Sequence, residues 1–173
     1  MSPLNACSAC SLPSSCGPTG PAGLVTPSSF FRAQLSQVNG VVPLTTTTEP
    51  IIFNAVTGGN LDAAYDVVTG IYTAPRAGFY VFDVNVVINN VIATVGRAIA
   101  SLTVNGVATN SQEANILGTI GQVSAITFSS LLLLSSADQV QVTGRATVLG
   151  NLTLGSNVYP IAASSTFQCK SLF

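Results

Sequence analysis

The stretch from Tyr65 to Phe82, YDVVTGIYTAPRAGFYVF, decides the fold. Thr69-Gly70 is a turn signal between two apolar runs. Ile71-Tyr72-Thr73 reads as a short strand of β-branched and aromatic residues. Pro75 ends it, because proline has no N–H to give to a ladder. Gly78 opens the next strand. There Tyr80, Phe82, Val84 and Val86 form one wholly apolar face, while Phe79, Val81, Asp83 and Asn85 form a face that begins apolar and turns polar. Rings bury large areas, so Tyr65, Tyr72, Phe79, Tyr80 and Phe82 are the expected aromatic core nucleus.

Further out, Pro50 to Asn54 (PIIFN) reads as a strand entering the core, and Ser101 to Gly106 (SLTVNG) as a mid-domain strand with its turn. Leu131 to Val140 (LLLLSSADQV) is an apolar strand followed by a turn, and Ser164 to Phe167 a closing strand. Together with Tyr65, Asp66, Thr69, Gly70, Tyr72, Pro75, Gly78, Phe79, Tyr80 and Phe82, this order resembles the globular heads of complement subcomponent one-q, which share the tumour necrosis factor jelly roll. The resemblance covers roughly Ser29 to Phe173. At Ser136-Ala137-Asp138 the family has a Pro-Gly-Asp-type turn, of which this chain keeps only the aspartate. The Ser/Thr-rich second half looks most like the heads of bacterial collagen-like surface proteins of the exosporium type. The resemblance implies an all-β jelly-roll sandwich that is homotrimeric, and it implies calcium near a trimer axis as an option.

The remaining strands follow from pattern. Phe31, Ala33 and Leu35 alternate with Phe30, Arg32, Gln34 and Ser36. Asn39-Gly40 and Asn105-Gly106 are hairpin signals. Thr45 to Thr48 reads as a surface loop and Gly58-Gly59-Asn60 as a turn. The strand after Phe82 is expected to fray at Asn89-Asn90, and Glu113 to Gly121 to form a loop. Gly96–Val104, Gln122–Leu134, Val140–Val148, Asn151–Leu154 and Ala162–Phe173 complete eight to ten strands, spaced as in a sandwich.

Composition narrows the function. The 173 residues suffice for one domain with a real core. Only 6% are charged and the net charge is −1. Five basic residues make no electrostatic footprint for nucleic acid. A chain that is 47% hydrophobic and nearly neutral is a poor free monomer, so it is expected to partner itself. Unbroken apolar runs such as Leu131 to Leu134 are far below the ~20 residues of a membrane span. No basic stretch followed by an apolar run marks a secretory signal, so a surface location would need another export route.

Residues 1–28 have a different composition, rich in Ser, Pro, Ala, Gly and Cys and without periodicity. They are expected to form an extended arm ahead of a head at 29–173. Cys7, Cys10 and Cys16 lie in this arm and Cys169 near the far end; all four are candidates for disulfides between chains. Reduced thiols are the alternative. A zinc site is disfavoured, since four ligands are wanted and the chain has no histidine. Gly17, Gly20 and Gly23, with Pro18 and Pro21, follow the collagen register. Two triplets are too few for a triple helix alone, so the segment is either a polyproline-type linker or a clamped triple-helical neck.

Catalysis has little to work with. The missing histidine excludes a Ser-His-Asp triad, and no nucleophile elbow or phosphate loop occurs. The six acids are scattered singly. Asp62 and Asp66 have the spacing to offer oxygens to calcium, or else lie in solvent and cap a turn. Asn151-Leu152-Thr153 fits the glycosylation acceptor, relevant only to a eukaryotic secretory route. Arg76 and Arg97 either pair with an acid or ring, or stay in solvent. The expectation is a non-enzymatic structural protein: trimeric heads joined through their arms into a filament, appendage or surface layer, with an anchoring layer as a further partner. A trimeric recognition head for a glycan or protein receptor is the alternative.

Overall fold

The computed structural model describes residues 30–35, 42–60, 63–90, 95–117, 119–120, 123–147, 152–154 and 165–172. They form two antiparallel sheets packed face to face. Sheet A contains β1 (Phe30–Gln34), β2 (Val42–Leu44), β4 (Ala55–Asn60), β7 (Gly78–Asn90), β10 (Val123–Leu134), β12 (Leu152–Leu154) and β13 (Thr166–Ser171). Sheet B contains β3 (Glu49–Pro50), β5 (Tyr65–Asp66), β6 (Ile71–Thr73), β8 (Val95–Val104), β9 (Val107–Leu117) and β11 (Gln139–Ala146). β7 is the spine of sheet A: β10 pairs along one side of it, and β13 and β12 share the other. β11 plays the same part in sheet B, between β8 on one side and β6 and β3 on the other.

Period-two alternation places the core between the sheets. Tyr80, Phe82, Val84, Val86 and Ile88 point inward from β7, and Phe167 and Cys169 from β13. Sheet B supplies smaller inward residues, Ala98, Ala100, Leu102, Val140 and Val142. Sheet B also adds the larger rings of Tyr65 and Tyr72, so side chains of both sheets fill the space between them. The ring of Phe31 stacks on Tyr65 (centroids 4.6 Å apart) and on Tyr72 (5.1 Å), and meets the edge of Phe167 at 5.0 Å. Such pairs add about 0.5–1.5 kcal/mol each beyond area burial. The Tyr65 hydroxyl donates to the Phe53 carbonyl at 2.9 Å, and that of Tyr80 to the Arg76 carbonyl at 2.7 Å. Burial pushes both phenols above their ordinary range.

Turn chemistry fixes the register. Asn105 and Gly106 both have positive φ, 50° and 81°, the two-residue turn that matches strand twist. Asn105 also reaches its neighbour: its Nδ2 donates to Asp138 Oδ1 at 2.9 Å, while Asp138 Oδ2 accepts from the Ser135 N–H at 2.7 Å. One carboxylate therefore ties two hairpin ends together, and those donors hold its pKa below the usual range. Gly70, at φ 72°, packs so that a Cβ would stand 3.3 Å from the Ile51 carbonyl oxygen and from Ile52 Cα.

Four local expectations are corrected. Gly58-Gly59-Asn60 is not a turn but the end of β4, paired with β1 through register shifts. Gly59, at φ 48°, lets that irregular ladder form. The strand after Phe82 does not fray at Asn89-Asn90, because β10 and β12 supply ladder partners there. Residues 113–117 are not loop but the end of β9, an edge strand whose polar residues face water. Phe79 is not core: it is 52% exposed, on the opposite face of β7 from Tyr80 and Phe82.

Candidate functional site

The outward face of sheet A is built from rows of residues brought together by strand register. Phe79 lies opposite Leu133, and Leu131 opposite Val81, which in turn faces Lys170 and then Phe30. The Leu172 N–H donates to the Phe79 carbonyl at 2.9 Å, adding a further side chain to this end. Phe79, Leu131, Leu133 and Leu172 are 52%, 61%, 70% and 53% exposed. A contiguous exposed apolar patch on a soluble domain marks an interaction surface. The run LLLL at 131–134 carries the signal, since a strand apolar on both faces is one meant to be covered on both.

The next two rows are polar and tied together. Asp83 accepts hydrogen bonds from the Ser129 hydroxyl and, at 3.0 Å, from Gln168 Nε2. Thr127 Oγ1 donates to Asn85 Oδ1 at 2.9 Å. Arg32 stands opposite Gln168 and extends the Asp83 row. The face thus has an apolar end and a preorganised hydrogen-bonding end, the mixture that protein interfaces use.

The outward face of sheet B is different. Ser101, Thr103, Gln141 and Thr143 line a groove there of about 770 Å³. Arg97 pairs with Glu113 across β8 and β9 at 3.3 Å, both side chains half-exposed. An ion pair so exposed contributes little to stability.

The aromatic residues expected to nucleate the core divide as their alternation requires. Tyr65, Tyr72, Tyr80 and Phe82 are at most 3% exposed, and Phe79 joins the outward patch. Asp66 is engaged in its own turn: Oδ1 accepts from the Val68 N–H at 2.9 Å and Oδ2 from the Thr69 hydroxyl at 2.7 Å. These donors, the Val68 N–H first, hold its carboxyl below the usual range. Asp62 lies outside the described residues, and among those described no group of three side chains converges as metal ligands would. Cys7, Cys10, Cys16, Gly17, Gly20 and Gly23 also lie outside them.

Cys169 requires a correction. Expected among the candidates for cross-links, it is 1% exposed and faces inward between the sheets. Burial pushes its thiol from an ordinary 9.0 up to about 12, against a smaller opposite pull from the Tyr72 hydroxyl. Native protein at pH 8 should therefore leave Cys169 unalkylated by iodoacetamide, while urea-unfolded protein is labelled there. Peptide mass spectrometry reads the difference; equal labelling of the two states refutes it. The linkage sign follows from the raised value. This thiol's contribution to stability is complete below about pH 9 and is lost as pH rises toward about 12.

The model of the C1q domain family matches residues 32–160 of the chain. No curated protein matches it in sequence. Among solved structures, the globular domain of zebrafish complement 1qA protein is similar at 14% identity, with a TM-score of 0.59, over 84% of this chain and 98% of that one. The Eiger TNF of S. frugiperda is similar at 13% identity, with a TM-score of 0.62, over 85% of this chain and 94% of that one.

Proposed function

The chain belongs to the C1q domain family, and from that premise we propose that it is a non-enzymatic, self-assembling surface protein. Three heads, residues 29–173, pack through the outward face of sheet A. The observation that carries this reading is the patch of Phe79, Leu131, Leu133 and Leu172, exposed on a single chain. Similar heads assemble as homotrimers, and a chain with only 6% charged residues gains by covering such a patch. The residues 1–28 emerge together from the trimer and join it to the next trimer or to an anchoring layer. Gly17, Gly20 and Gly23 make a short collagen-register neck. Disulfides through Cys7, Cys10 and Cys16 lock the junction covalently in this reading. The product is a filament, appendage or surface layer outside the cell, of the kind that bacterial collagen-like surface proteins build.

Deleting residues 1–27 tests the connector role. Negative-stain images of the shortened protein should show discrete heads, where the intact chain shows polymers. Identical polymers from both proteins would refute the role of the arm.

A second reading, a recognition head, is favoured by one feature. The groove on sheet B lies on the face opposite the apolar patch and stays open when sheet A is covered.

A further inference from the structure

We propose that the Asp83 cluster on the outward face of sheet A is completed by a second copy of the chain, whose Arg32 pairs with the Asp83 carboxylate across the contact. The pair rests on the reading of this face as the one that other heads cover. It names what that contact holds besides apolar side chains.

The strands of sheet A carry three charged residues, Arg32, Asp83 and Lys170, and all three lie on the outward face. Register divides them. Asp83 belongs to the half built by β7 and β10, and Arg32 and Lys170 to the half built by β1 and β13. Arg32 and Asp83 share a row with Gln168 between them, so two strand spacings, about 10 Å, separate them within a chain. Both cations are exposed, and among the described residues the one ion pair is Arg97 with Glu113, on the other sheet.

Asp83 is half-buried, and its carboxylate accepts from Ser129 Oγ and Gln168 Nε2. Those donors are neutral, so the charge still needs water or a cation. Covering the face takes the water away, and a carboxylate buried without a cation is strongly disfavoured. The cations on this face are Arg32 and Lys170.

Symmetry chooses between them. Contacts in a cyclic trimer are heterologous, so one part of the face meets a different part on the next copy. The β7–β10 half of one head then meets the β1–β13 half of the next. A threefold axis along the strands, as three arms leaving one end together require, keeps each row at its own level. Phe79, Leu131 and Leu133 of one head meet Phe30 and Leu172 of the next, and Asp83 meets Arg32. Lys170 stands one row toward the apolar end, opposite Val81 and Phe30, where its stem covers apolar surface and its ammonium turns to the rim. The planar guanidinium of Arg32 can also bond both oxygens of a carboxylate. Such a pair fixes the register of the contact more than it adds affinity.

The test is sedimentation velocity of the full-length protein with reductant, over a dilution series. Arg32→Gln keeps an exposed stem and removes its charge. It should raise the dissociation constant of the trimer at least ~30-fold, the usual effect of unpairing a covered charge. Lys170→Gln should raise it no more than about threefold, as a rim charge does. Asp83→Arg should break the trimer, and Asp83→Arg with Arg32→Asp should bring the constant back to within about tenfold of the unsubstituted protein. A trimer that Arg32→Gln leaves intact overturns the pair, and so does a larger effect from Lys170→Gln. An exchanged double variant that assembles no better than Asp83→Arg alone overturns it too. If Arg32→Gln lowers the melting temperature at a dilution where the chains are single, the pair forms within one chain and the proposal fails. A single-chain mass for the unsubstituted protein defeats the trimer reading and the pair with it, whereas the other outcomes leave the trimer standing.

Discussion

If three heads pack through sheet A as proposed, replacing Leu133 with lysine leaves the head folded and separates the assembly into single chains. Leu133 is 70% exposed on one chain, so the substitution removes no packing within the head, where surface changes stay within about 0.5 kcal/mol. Leu133 lies in the apolar patch opposite Phe79, the face that the proposed trimer covers. Losing a buried leucine there costs about 1.5–3 kcal/mol, and an unpaired ammonium in its place costs more. A threefold assembly carries the loss in each of its three copies. The dissociation constant should therefore rise at least ~10³-fold. Sedimentation velocity at micromolar concentration reads the outcome directly. Val68→Lys is the control: Val68 is 76% exposed, in the turn after β5 and off the patch, and its variant should stay trimeric. An unchanged mass for Leu133→Lys, or a single-chain mass for the unsubstituted protein, defeats the self-association reading.

How much of this was legible beforehand depended on where each signal sits along the chain. The turns were readable because their chemistry is local. Asn105-Gly106 must take positive φ at both places, and Thr69-Gly70 needs a glycine where Ile51 and Ile52 crowd its Cα. The aromatic hairpin was readable because its alternation is strong. Ring content alone suggests Phe79 for the core, but the same alternation that buries Tyr80 turns Phe79 outward. The end of β9 from Glu113 reads as a loop because an edge strand facing water carries polar residues where a central strand would be apolar. Gly58-Gly59 has the composition of a turn, and only the neighbouring β1 makes it strand. The sheet B groove was invisible for a different reason. Ser101, Ser111 and Thr143 are ordinary polar residues far apart in sequence, and only the ladders of β8, β9 and β11 make them neighbours.

Phe30 and Phe31 put the assignment of faces to its sharpest trial. They are consecutive in β1, chemically identical, and a one-residue slip in pairing would exchange them. Phe31 is 1% exposed and stacks on Tyr65 and Tyr72 of sheet B, with Phe167 of sheet A at its edge. It therefore joins the two sheets. Phe30 is 37% exposed, on the outward face across from Lys170. Phe31→Ala should cost about 3–5 kcal/mol, the usual loss for a buried ring. That is a large fraction of the ~5–15 kcal/mol that holds a domain together. At roughly 2–4 °C per kcal/mol for a chain of this size, the melting temperature should fall about 6–20 °C. Phe30→Ala should cost the head about 1–2 kcal/mol, because the partly exposed ring still packs on Gly59 of β4. It should also show in sedimentation, since Phe30 borders the apolar patch. Urea unfolding on a Leu133→Lys background, where the heads are expected to be single chains, compares both variants without a contribution from association. If Phe30→Ala proves the more destabilising of the two, β1 is paired one residue out of register and its inward face has been read from the wrong side.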